Sequence, residues 1–128
     1  MRLLLDTHAL IWWLAGDDAL SVRARAAIGH EENSVAVSAA SAMEISTKFR
    51  IGKLPDAALL AHDFEAIIAE QGFAELAISV RHARIAGEMN IAHKDPFDRL
   101  LIAQARVEDM ALVSNETLFD GFAVQRLW

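Results

Sequence analysis

The sequence predicts an α/β fold: a three-layer α/β/α sandwich with a central, mainly parallel sheet. Three observations lead there. Short apolar runs alternate with helical patterns along the whole chain, which is how strand–helix–strand crossovers read. The first run, Leu3 to Leu5, is continuously apolar, as in a strand buried on both faces. The chain has 128 residues and is 54% hydrophobic, which suits one domain over residues 1–128 with a real core.

The elements follow in order. After Leu3–Leu5, "HALIWWLA" reads as a helix ending near Gly16, and "LSVRARAAIGHEE" as a second, amphipathic one. "SVAVS" is the next strand. "SAMEISTKFRIGKLP" is a helix stopped by Gly52 and Pro55. "DAALLAHDFEAIIAEQG" is predicted as one helix, with Asp56 as N-cap and Gly72 as C-cap. "AELAIS" is a weaker strand. "VRHARIAGEM" is helical, with Val80, Ala83 and Ala86 as its apolar stripe. "DPFDRLLIAQARVED" is the clearest helix. "MALVS" is a strand, "NETLFDG" a short helix or turn, and "FAVQRL" a last strand.

Composition narrows the function classes. There are no cysteines, so disulfides and zinc–thiolate sites are out, and a reducing cytoplasm fits. The apolar opening is broken by Asp6 and His8, unlike a secretory leader. No uncharged run approaches the ~18 residues of a membrane helix. The net charge of −6 argues against loose nucleic-acid binding through overall charge. Local positive charge exists in "KFRIGK", with Lys48, Arg50 and Lys53; a solvated helix end explains it equally well.

Four acids stand where a strand hands over to a helix: Asp6, Glu44, Asp98 and Glu116. Each has a purely structural explanation. Ser41 and Glu44 fit a Ser-x-x-Glu capping box in the first turn of a helix. Asp95, Pro96 and Asp98 fit N-cap, N1 and N3. Asp6 fits a cap, and Glu116 fits a helix dipole. The joint pattern is harder to explain that way. In a parallel sheet the strand carboxyl ends share one edge, where ligands bind. Carboxylates crowded there raise one another's pKa. A divalent cation removes that cost, and oxygen donors suit Mg²⁺ or Mn²⁺.

"LLLDTHALIWWL", "VSAASAMEISTKFRIGKL", "HKDPFDRLLIAQA" and "LVSNETLFDGF" together resemble the PIN-domain ribonucleases, and most closely the VapC-type toxins of bacterial toxin–antitoxin pairs. The resemblance covers nearly the whole chain. It implies a metal-dependent hydrolase of RNA phosphodiester bonds, with Asp6, Glu44 and Asp98 as core metal ligands. The fourth acid of the family is usually Asp, and Glu116 falls at its place here. Ser114 matches a supporting hydroxyl. Thr7 is expected to orient Asp6 or to serve the helix start. A homodimer and a cognate VapB-type antitoxin laid across the active-site groove are further implications.

Neighbouring residues admit two readings each. His93 fits a metal ligand, a substrate contact or a plain loop histidine, and His8 a site or a structural histidine. Asp95 fits a cap or a support for the site. Lys48 and Arg99 fit phosphate contacts, and Arg99 equally fits pairing with nearby acids. Trp12 and Trp13, being adjacent, point to different helix faces, one toward the core and one toward an interface or RNA bases. The competing function is a non-catalytic PIN-fold module that binds an antitoxin or nucleic acid. A receiver-type phosphotransfer domain is disfavoured, since its acidic pair and late lysine are not evident.

Overall fold

The computed structural model describes all residues, 1–128. Five strands, β1 (Arg2–Leu5), β2 (Ser34–Ser38), β3 (Ala74–Leu76), β4 (Ala111–Val113) and β5 (Arg126–Leu127), form one sheet in the order β3-β2-β1-β4-β5. Every neighbouring pair is parallel. Seven helices flank the sheet: α1 (Thr7–Ala15), α2 (Val22–Gly29), α3 (Ala39–Arg50), α4 (Ala58–His62), α5 (Phe64–Glu70), α6 (Val80–Glu88) and α7 (Pro96–Val107). No helix is long and apolar enough to cross a membrane.

The sheet divides two apolar layers, and the alternation of strand side chains assigns each residue to one of them. Leu3 and Leu5 face a layer with Val35, Val37 and Val113, packed by Leu10, Ile28, Ile45, Phe64 and Ile68. Leu4 faces the other layer, with Ala36 and Leu112, packed by Leu101, Ile102 and Phe119. All three β1 leucines are fully buried. The sandwich is therefore the one expected, with α7 on one side and α1 to α5 supplying the other.

Several elements depart from expectation. The helix predicted from Asp56 to Gly72 is broken into a 3₁₀ turn at Pro55–Ala57 and the short helices α4 and α5. Asp56 is not an N-cap; the 3₁₀ turn starts after Leu54 with no side-chain cap. Asp63 (φ −122°, ψ 36°) sits at the break and serves both helices through its backbone. Leu60, Phe64 and Ile68 stay buried across it, so the four-residue apolar spacing survives the kink. Gly72 does follow the last helix in a left-handed conformation (φ 75°), which glycine adopts without strain. On α6 the buried residues are His82 and Ala86, while Val80 is 87% exposed. His82 turns inward because it completes a capping box with Ser79 and meets Glu108 at 3.0 Å.

Strand order fixes where a ligand belongs. The connection leaving β1 runs to β2, and that leaving β4 runs to β5, on opposite sides. The gap between the carboxyl ends of β1 and β4 is thus the topological switch point, where open α/β sheets bind ligands. Register aligns Leu5 with Val37 and Val113. The residues that follow, Asp6, Ser38 and Ser114, form a row along that edge.

Candidate active site

Asp6 is the N-cap of α1; its carboxylate accepts the Ala9 N–H at 2.8 Å, and its own N–H donates to Val113 O at 3.0 Å. It is only 8% exposed. Burial pushes its carboxyl up from the usual aspartate range. The Ser114 hydroxyl and the Ala9 amide pull the other way, and the Asp98 charge adds to the rise. Ser114 is fully buried and also accepts the Glu116 N–H at 3.0 Å. Ser114 thereby fixes the segment carrying the fourth acid next to the strand end that carries the first.

Glu44 comes from α3, whose N-cap is Ser38 rather than Ser41. The expected capping box does not form. The helix begins three residues earlier, at the end of the strand register, so Glu44 lies in its second turn and is free to face the edge. Its Oε1 accepts from the Thr7 hydroxyl at 2.6 Å and its Oε2 from Lys48 Nζ at 2.5 Å. Thr7 also meets Ser41 Oγ at 3.1 Å. Thr7 thus orients Glu44 rather than Asp6, while its other expected place, at the helix start, is where it stands, as the first residue of α1. Ser38 is held in turn by Gln104 Oε1 of α7 at 2.5 Å.

Asp98 stands in the first turn of α7. Asp95 is the N-cap there, accepting from the Phe97 and Asp98 amides, and Pro96 occupies the first helical position. Burial pushes the Asp98 carboxyl up. His93 opposes that shift through its hydrogen bond, while the charges of Asp95 and Glu44 reinforce it. His93 Nε2 lies 2.8 Å from Asp98 Oδ2. That contact was not foreseen, because only the loop geometry brings residue 93 back onto its own helix start. Glu116 caps a 3₁₀ turn at Thr117–Gly121, accepting the Leu118 amide at 3.3 Å. Arg126 fastens this segment by holding both Asp120 oxygens and the Ser114 carbonyl. The same guanidinium keeps the Asp120 carboxyl below the usual aspartate range.

Asp6, Thr7, Glu44, Lys48, Asp95, Asp98 and Glu116 line a single cleft of ≈ 150 Å³, together with His8, Asn115 and Phe119. Asn115 was passed over in the sequence, since a lone turn asparagine carries no signal. His8 lies 5.5 Å from Trp12, ring centre to ring centre. Trp12 and Trp13 are both half-buried: Trp12 packs on Trp128, while Trp13 donates to Gln71 at 2.9 Å. Arg99 touches neither phosphate-facing space nor an acid. Its guanidinium donates to the carbonyls of Ala86, Gly87, Met89, Ile91 and His93.

The donor set is five carboxylates and no sulfur, which is the chemistry of a hard divalent cation. No three of these side chains stand at metal-ligand spacing. Each acid is engaged by its own local donor, which offsets the cost of crowding like charges. A larger cleft, ≈ 640 Å³, lies beside α1 and is lined by Ile11, Leu14, Leu54, Leu59, Leu60 and Ile67 among others. It holds none of the four acids and is apolar, so it is a place for contact rather than chemistry.

The fold and the site together define a class: a parallel α/β domain with an acid-lined cleft at its switch point. Within that class, a family profile described as PIN domain matches residues 3–124. The chain belongs to the PIN domain family. No curated protein matches its sequence. Among solved structures, VapBC2 from Rickettsia felis bound to a promoter DNA fragment is similar, with a TM-score of 0.69, 13% identity and complete coverage of both chains. A toxin–antitoxin complex from Klebsiella pneumoniae gives 0.62 at 20% identity, covering 89% of this chain and 86% of that one. FitAcB from Neisseria gonorrhoeae gives 0.61 at 18%, covering 97% and 95%. At such identities the likeness concerns the fold.

Proposed function

We propose that residues 1–128 form one nuclease domain, a Mg²⁺- or Mn²⁺-dependent endoribonuclease serving as the toxin of a toxin–antitoxin pair. The observation that carries this reading is the convergence of Asp6, Glu44, Asp98 and Glu116, from four separate segments, on one cleft. Membership of the PIN family supports it, as do fold relatives described as toxin–antitoxin complexes. RNA as substrate rests on the resemblance of the four motifs.

Asp6, Glu44 and Asp98 would hold the cation, with Glu116 at the rim. When bound, the cation supplies positive charge to phosphoryl oxygens and lowers the pKa of nearby water. The chain's own residues set the stage. Ser114 and the Ala9 amide aim Asp6, Thr7 aims Glu44, and His93 aims Asp98. Lys48, which holds Glu44 Oε2 at the cleft, would offer its ammonium to a phosphate oxygen. Hydrolysis adds water across the P–O bond, so one product keeps the phosphate and the other a hydroxyl. The apolar cleft beside α1 suits an amphipathic segment of the antitoxin. A cytoplasmic homodimer completes the proposal; the absence of cysteine fits that compartment.

The test is cleavage of cellular RNA by purified protein with Mn²⁺ or Mg²⁺, read by sequencing the cut ends. Asp6→Asn should lower the rate by more than the ~10–100-fold typical of losing a supporting group around a metal. Cleavage by Asp6→Asn at the wild-type rate would sink the reading. Absence of both RNA cutting and Mn²⁺ binding would favour the interaction module instead.

A further inference from the structure

We propose that Arg99 is a positioning residue, which fastens the α6–α7 connection so that the His93 ring stays on the Asp98 carboxylate. The inference rests on the metal-site reading of Asp98 and extends it to a residue that never enters the cleft. A guanidinium has five N–H donors in a fixed fork. Here Nε meets Ala86 O at 2.8 Å, Nη1 meets His93 O at 2.9 Å and Ile91 O at 3.4 Å, and Nη2 meets Met89 O at 2.6 Å and Gly87 O at 3.2 Å. Five donors thus face five carbonyls, and none is left for phosphate.

The choice of carbonyls has a physical reason. Those of Ala86 and Gly87 belong to the last turn of α6, where helix carbonyls lack intrahelical partners and a cation is favoured. Those of Met89, Ile91 and His93 lie in a connection with no regular structure, whose backbone has few other partners. His93 is thereby fixed at both ends: its carbonyl on Arg99 and its Nε2 on Asp98 Oδ2 at 2.8 Å. The ring engages one carboxylate oxygen and leaves the other available to the cleft. Arg99 and Asp98 are adjacent on α7, so the device is self-referring. One residue of the helix start offers the acid, and the next holds the loop that orients it.

The test separates positioning from phosphate contact. Mn²⁺ affinity is measured by calorimetry for wild type, Arg99→Lys, His93→Ala and the double variant. Lysine keeps the charge but not the fork, so it should fail to rescue. Arg99→Lys and His93→Ala should each weaken Mn²⁺ about 10–100-fold, and the double variant no further than His93→Ala alone. The salt dependence of single-stranded oligonucleotide binding should be unchanged in Arg99→Lys. Wild-type Mn²⁺ affinity in Arg99→Lys, additive losses, or a salt slope reduced by about 0.7, as for one lost phosphate contact, would each overturn the proposal.

A readout on the unaltered chain covers a variant that fails to fold. The Arg99 Nη–H proton resonances of wild type should be individually resolved, slow to exchange, and unmoved by an oligodeoxynucleotide. Averaged or oligonucleotide-sensitive resonances would refute the assignment. If wild type takes up no Mn²⁺, the metal reading fails by itself, and these resonances still decide whether the guanidinium is held.

Discussion

Asp6 is asked to do two things that conflict. As a cap it stabilises α1, and as a buried charge beside other acids it destabilises the fold. Its carboxyl, like that of Asp98, is pushed above the usual aspartate range, burial being the chief cause. The folded state therefore binds these protons more readily than the unfolded state does. Their contribution to stability is most favourable where both carboxyls are protonated and falls as pH rises from the ordinary aspartate pKa through the raised folded values. Above those raised values the penalty is fully present. Asn caps a helix about as well as Asp. Asp6→Asn should therefore raise the metal-free melting temperature at pH 7 by a few degrees, and the gain should vanish at low pH. Melting curves across that range check this; a destabilised Asp6→Asn at pH 7 would contradict it. Asp6, Glu44 and Glu116 were legible in the sequence because each closely follows a strand; Asp98 follows α6 instead of a strand, and was legible only as an acid in the first turn of α7. Thr7 pairing with Glu44, and His93 with Asp98, were not. Those partners lie 37 and 5 residues apart and meet only through tertiary geometry.

Elements show where pattern suffices and where it misleads. The run from Leu60 to Ile68 keeps helical spacing straight through the break at Asp63, so nothing in the pattern marks the kink. On α6 the pattern pointed to Val80, Ala83 and Ala86; Ala86 is buried, but its buried companion is His82, which no hydrophobicity scale favours. Two serines three residues apart, Ser38 and Ser41, both fit a cap, and strand register chose the first. That choice is backed by Gln104, which is fully buried on α7 and spans the layers, accepting from Ser38 and donating to Ala77 O at 3.2 Å. Gln104→Leu keeps the volume but leaves a buried hydroxyl and a carbonyl short of a partner. The expected loss is about 1–3 kcal/mol, read by chemical denaturation. A variant as stable as wild type would show that water or a rearranged Ser38 fills the gap.

At the scale of the molecule, the parallel architecture was readable because each crossover leaves an alternation of apolar runs and helices. The strand order was not, since nothing local states on which side of β1 the later strands land. That order is what sets Asp6 and Ser114 side by side. The whole fold should respond to a cation, which would bind the folded state alone. At 100 times its dissociation constant, Mn²⁺ adds about 2.7 kcal/mol, or about 10 °C in melting temperature for a chain of this size. Chelator should reverse the shift, and Asp6→Asn should abolish it. Identical melting curves with chelator and with excess Mn²⁺ would count against a shared site.

The row formed by Asp6, Ser38 and Ser114 carries one more implication. Leu3 and Leu5 point into one layer and Leu4 into the other, so the count of residues along β1 sets the direction in which Asp6 emerges. Removing a single leucine would invert that phase and aim the carboxylate into hydrocarbon. Adding a residue or two between Gly16 and Ala19, by contrast, would only lengthen the exposed connection from α1 to α2. Tolerance to indels should therefore be sharply uneven along the chain: near zero along β1 and broad between α1 and α2.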